Sequence, residues 1–214
     1  YPRLLKAGLI VLTAGSIGVI ALPADAATSG VVAVVQSTVI EYPAAAGKTN
    51  NVVVTRSGRT VTVDDTVAIK AGAGCKSAGG DKTKVICTTK ANPVRVRVYL
   101  NDGNDSVVNR TDLAMTARGD YGNDKLTGGP RGDNLNGGFG TDAIWGLGGN
   151  DQLWGSDGSD ALSGGNDNDL IWGDRGNDRL LGGNGNDELM GNAGNDVLDG
   201  GLDGDMFSAD SAVD

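Results

Sequence analysis

The sequence predicts an all-β fold of stacked coils, a β-solenoid with a small β-rich cap at its N-terminal end. Three columns of residues carry that prediction. Between Gly119 and Ser208 the chain repeats every nine residues, ten times in unbroken register. Gly opens each unit, from Gly119 in steps of nine to Gly200. The eighth place is always large and apolar: Leu126, Leu135, Ile144, Leu153, Leu162, Ile171, Leu180, Leu189, Leu198 and Phe207. The sixth place is always aspartate: Asp124, Asp133, Asp142, Asp151, Asp160, Asp169, Asp178, Asp187, Asp196 and Asp205.

Each column has a physical meaning. Glycines at the front of the units let the backbone take positive φ and turn tightly, which a Cβ resists. One buried apolar residue per unit suits a short strand that shows a single side chain to a core. Turn, strand, turn and strand make a coil of eighteen residues, and successive coils stack at about 4.8 Å, the spacing of neighbouring strands. The apolar column becomes the spine between two parallel sheets. The aspartates fall along the two turn edges, where their oxygens can meet a hard cation. Ten buried side chains cannot alone offset the backbone entropy of ninety Gly-rich residues, and ten unpaired carboxylates repel one another. A divalent cation answers both problems. Calcium suits the site best, because it accepts six to eight oxygens, backbone carbonyls included.

Units such as Gly182-Gly-Asn-Gly-Asn-Asp-Glu-Leu-Met190 resemble the RTX, or haemolysin-type, calcium-binding nonapeptide GGxGxDxUx, a known calcium-binding β-helix repeat. The resemblance covers Gly119–Ser208 and implies a parallel β-roll. It further implies several Ca2+ ions, each held between turns one coil apart by two Asp carboxylates and by carbonyls from the first four places of the paired turns. The layout of the whole chain resembles small secreted actinobacterial members of that family.

Residues 1–26 read as a secretory signal: Arg3 and Lys6, an apolar run from Ala7 to Leu22, then Pro23 and the Ala24-Asp25-Ala26 cleavage pattern. The run is shorter than a membrane span needs and holds several glycines, so no stable membrane insertion is expected. Residues 27–100 read as the cap domain. Val31–Ile40, Asn51–Val63 and Val94–Leu100 are rich in β-branched residues, and Ser57-Gly58 marks a hairpin. Cys75 and Cys87 are expected to form one disulfide in an exported chain. Residues 101–214 form the roll. Asn101–Asp105 reads as a degenerate first turn, out of phase because Asp105 precedes Asp124 by nineteen residues rather than eighteen. Asp105 therefore joins the ten array aspartates as a metal ligand. No apolar or amphipathic tail is read after Ser208, and the N-terminal signal points to the general secretory route.

Charge divides along the same line. Residues 1–100 hold 12 Lys/Arg and 5 Asp/Glu, net +7; residues 101–214 hold 6 and 22, net −16, and the halves sum to 18 and 27. An acidic roll suits cations and argues against nucleic acid. The chain has no His, which excludes a Ser-His-Asp triad and an HExxH zinc site, so no enzyme is expected. The expected role is a secreted, extracellular structural or adhesive module that folds on calcium, with a cell surface or a second copy as partner. The alternatives are a carbohydrate or cell-wall polymer binder acting through an exposed Trp strip (Trp154, Trp172), and the non-catalytic part of a secreted enzyme or toxin. The two edges should also differ. Turns ending at Asp124, Asp142, Asp160, Asp178 and Asp196 keep Gly in the fourth place, whereas the other edge places Arg131, Asp167 and Asp203 there. Weaker sites are expected on that second edge.

Overall fold

The computed structural model describes residues 29–208, so the expected signal at 1–26 lies outside the described residues. Eight strands precede residue 100: β1 (Gly30–Val35), β2 (Val39–Pro43), β3 (Asn51–Ser57), β4 (Thr60–Asp64), β5 (Ile69–Ala71), β6 (Cys75–Ala78), β7 (Asp81–Thr88) and β8 (Arg95–Tyr99). The hairpin expected at Ser57-Gly58 joins β3 to β4, with Gly58 at φ +58°. β7 pairs antiparallel with both β4 and β6. Cys75 and Cys87 face each other across β6 and β7 and form the expected disulfide.

The coils follow as β9 (Ser106–Arg110), β10 (Ala114–Tyr121), β11 (Lys125–Thr127), β12 (Asn134–Phe139), β13 (Ala143–Gly148), β14 (Gln152–Asp157), β15 (Ala161–Asn166) and β16 (Leu170–Arg175). They end with β17 (Arg179–Asn184), β18 (Glu188–Ala193), β19 (Val197–Leu202) and β20 (Met206–Ser208). Even-numbered strands from β8 onward lie in one sheet and odd-numbered strands from β9 onward in the other. All pair in parallel, and from β10 onward the register is eighteen residues: Leu135 pairs with Leu153, Leu153 with Ile171, Ile171 with Leu189. The fold is the β-roll that the columns predict.

Within each strand, places eight and one face inward and places seven, nine and two face outward, as the burial of Gln152–Asp157 shows. The apolar column from Leu126 to Leu189 is buried without a break. The column opens at the C-terminal end. Leu198 is only partly buried, and Phe207, expected in the spine, is 56% exposed, because among the described residues no further coil covers it.

The sheets do not stop at residue 100. β2 pairs in parallel with β8 and β8 with β10; β3 pairs with β9 and β9 with β11. One apolar core therefore runs from Val32 through Ile40, Val52, Val96 and Val107 to Leu189. The one-residue phase slip has a definite place. Ser106 to Thr116 spans ten residues where Lys125 to Asn134, the equivalent path one coil on, spans nine. The extra residue sits in the connection after β9, where Asn109 accepts from Thr111 and donates to the Leu113 carbonyl.

Candidate calcium-binding turns

Every turn ends on its sixth-place aspartate, and each of these accepts a backbone N–H from the coil before it. On the first edge the Asp124 N–H donates to Asp142 Oδ1 (2.7 Å), Asp142 to Asp160 (2.7 Å), Asp160 to Asp178 (2.8 Å) and Asp178 to Asp196 (2.9 Å). Asp105 joins the head of this ladder, its N–H donating to Asp124 Oδ1 at 2.8 Å, so the nineteen-residue step does not break the column. On the second edge Asp133 donates to Asp151, Asp151 to Asp169, Asp169 to Asp187 and Asp187 to Asp205. Upstream of Asp133 the donor is Met115, so this column of aspartates starts one coil later.

The ladder uses one carboxylate oxygen and leaves the other. Oδ2 of Asp105, Asp124, Asp142, Asp151, Asp160, Asp169, Asp178 and Asp187 is buried with no hydrogen-bond partner. Each array Oδ2 packs against the opening glycine of its own turn: a Cβ on Gly155 would collide with Asp160 Oδ2 and lie 2.8 Å from the Gly173 carbonyl oxygen one coil on. Acceptor oxygens thus converge with no donor among them, an arrangement that costs free energy unless a cation is supplied. Burial drives these carboxyls up from the ordinary 3.8, against the pull of the ladder N–H: Asp151 to about 8, Asp124, Asp160 and Asp169 to about 7, Asp105 to about 6. Asp142, Asp178 and Asp187 move in the same direction for the same cause. Among the described residues no three acidic or sulfur side chains gather into a cage. A cation here must take one or two carboxylates and complete its shell with turn carbonyls, which is calcium chemistry.

Residues 118–153, 154–189 and 172–207 match the family model of the RTX calcium-binding nonapeptide repeat. Residues 118–207 are an RTX calcium-binding array. No curated protein matches the chain. The donor set fits the ion: buried, half-used aspartates alternating with backbone carbonyls. Bound calcium would supply the positive charge that lets neighbouring carboxylates stay ionised in a dry turn. Of the expected ligands, those from Asp105 to Asp187 are buried in the turns, while Asp196 and Asp205 lie partly open at the end of the roll.

The RTX edges differ, but less than expected. Fourth-place Gly140, Gly158 and Gly176 take φ of +132°, +148° and +133°. Asp167 and Asp203, expected to weaken the second edge, hold left-handed φ of +73° and +84° and keep the turn, because aspartate tolerates that region far better than most residues. The Arg131 turn is the one that departs. Neither Gly129 nor Arg131 takes positive φ, Pro130 biases its predecessor toward extended backbone, and the Gly129 N–H donates to Asp133 Oδ2 at 2.6 Å. Asp133 therefore has both oxygens bonded, and its carboxyl rises only to about 6, again mainly by burial.

A second ladder in the RTX turns escaped sequence reasoning. The fifth-place side chain accepts the fifth-place N–H of the next coil: Asn123 from Thr141, Asn168 from Asn186, Asn177 from Asn195, Asn186 from Gly204. Its signal was the run of Asn at that place. Trp154 and Trp172 are register partners that stack at 5.0 Å with planes 5° apart, and both are half-buried. One face of each ring is spent on the other. The more exposed aromatic pair is Tyr121 and Phe139, stacked at 4.9 Å with 60% and 51% of their surface open.

Proposed function

We propose that this calcium-binding repeat protein is a secreted, non-enzymatic module whose roll folds when calcium fills its turns, and which serves outside the cell as a structural or adhesive element. The observation that carries the reading is the column of buried Asp Oδ2 atoms without partners on both edges. Each is a place where the folded chain is deficient by one positive charge. The buried roll carboxylates are already committed to the backbone ladder, which favours a structural role over general acid–base work. Affinities of about 10⁻⁴–10⁻³ M, typical of extracellular calcium modules, would keep the chain unfolded in a calcium-poor interior and fold it after export. Partners would be a cell surface or a second copy of the chain.

Circular dichroism and hydrogen exchange during an EDTA and calcium titration test this. Residues 119–208 should lose β structure and amide protection in EDTA and regain both with calcium. A β spectrum unchanged in excess EDTA would overturn the reading.

A further inference from the structure

The first-edge ladder does not begin at Asp105. The Asn50 N–H donates to Asp105 Oδ1 at 2.7 Å, the same bond that Asp105 makes to Asp124 and Asp124 to Asp142. The Asn50 carbonyl accepts from Ser106 at 2.9 Å, as the Asp105 carbonyl accepts from Lys125 and the Asp124 carbonyl from Ala143. Lys48 completes the match: its carbonyl oxygen lies 2.5 Å from where a Cβ on Gly103 would be, and the Gly103 carbonyl meets Gly122 in the same way. Ala45–Asn50 thus bonds to the next coil as a turn of the roll does, although its left-handed residue is Gly47 in the third place rather than Lys48 in the fourth. Asn50 stands in the aspartate column, Lys48 in the fourth place and Ala45 in the first. The turn is clamped to its neighbour from both sides, by the Gly47 N–H to Asp102 Oδ1 (2.6 Å) and by Asn101 Nδ2 to the Ala44 carbonyl (2.9 Å).

We propose that the Ala45–Asn50 and Leu100–Asp105 turns enclose a calcium site of their own, outside the matched repeats, where the cap meets the roll. This rests on reading the array turns as calcium sites. Two buried oxygens there lack partners, Asn50 Oδ1 and Asp105 Oδ2; Asn50 is fully buried and Asp105 is 3% exposed. An unsatisfied amide oxygen in a fully buried residue is costly, and beside an unsatisfied carboxylate oxygen it marks a place for a cation rather than for another acceptor. The Ala45 and Lys48 carbonyl oxygens lie beside the Asn50 amide, accepting from its Nδ2 at 3.3 and 3.2 Å, at the long end of the usual range. An amide oxygen, a carboxylate and carbonyls make a hard-oxygen set for calcium. With one formal charge where an array step offers two, the junction site should be the weaker, so its ion leaves first on chelation and loosens the hold of the cap on the roll.

Native mass spectrometry of the full chain in calcium, with a graded chelator, tests the site. Asn50→Ala should bind one ion fewer than the unaltered chain while the array keeps its own. Asn50→Asp should keep the full count and hold its junction ion against roughly tenfold more chelator, since added ligand charge tightens calcium sites. An Asn50→Ala chain with an unchanged count would overturn the proposal, leaving a water or a proton on Asp105 to satisfy the two oxygens. If Asn50→Ala fails to fold, Asn50→Asp decides: no gain in retention overturns the site. An unaltered chain that binds no calcium at all would instead sink the reading of the array.

Discussion

Two buried aspartates show what the roll asks of its ligands. Asp65, in the cap, is fully provided for: Oδ2 accepts from the Tyr42 hydroxyl at 2.6 Å, and Oδ1 from the Asn51 and Thr66 N–H groups. Asp160, in the roll, has its ladder bond to the Asp142 N–H and nothing on Oδ2. Asp65 is structural on its own; Asp160 is complete only with a cation. Asp133 sits between them, since the Gly129 N–H fills its second oxygen. Replacing Asp160 by Ala should therefore raise the calcium concentration at half-folding by at least about tenfold, the lower end of what loss of even an outer-shell partner costs a metal site. Asp133→Ala should raise it by much less. Calcium titration of the two variants side by side checks this, and equal shifts would remove the distinction between a free and an occupied Oδ2. The sequence pointed to the difference through Pro130 and Arg131, but it also pointed to Asp167 and Asp203, which keep the turn. Loss of Gly was legible; whether the substitute could hold positive φ was not.

At the scale of the elements, columns were legible and isolated turns were not. Gly119–Ser208 announces its strands because three places repeat ten times, and the inward face follows from that spacing. Ala45–Asn50 announces nothing: it has no aspartate and opens on Ala, yet it bonds like a turn of the array. Only the parallel pairing of β3 with β9, fifty-five residues apart in register, brings it there, and contacts of that range leave no local pattern. The outward ninth place gives the test of the inward–outward assignment. Trp154 and Trp172 stack on the outer face between Asn136 and Met190 in register. A stacked pair of this kind contributes about 0.5–1.5 kcal/mol beyond its area. Changing both to Thr should lower the melting temperature of the calcium-loaded roll modestly while leaving calcium-induced folding intact by circular dichroism. Collapse of folding would show that the indoles belong to the core.

The molecule as a whole concentrates its charge where it buries it. The net −16 of residues 101–214 sits against a total of −9, and nine of the acidic groups there have carboxyls raised chiefly by burial in the turns. In EDTA the folded roll holds protons that the unfolded chain, titrating near 3.8, has already released. Stability of the calcium-free roll must then fall as pH rises from about 4 toward the highest folded value, about 8 at Asp151. Acidifying an EDTA sample from pH 8 to pH 5 should accordingly raise its β content, the reverse of ordinary acid unfolding. Calcium inverts the sign, because a carboxylate must lose its proton to ligate: below about pH 7, near the raised values of Asp124, Asp160 and Asp169, more calcium should be needed to reach half-folding. Far-ultraviolet circular dichroism at pH 5, 6, 7 and 8, with EDTA in one series and graded calcium in the other, reads both slopes. Opposite slopes mean that protons and calcium neutralise the same buried oxygens. An EDTA sample that loses β structure on acidification would mean that the carboxylates are ionised and satisfied by something else, and the cation-deficient turn would no longer explain the fold.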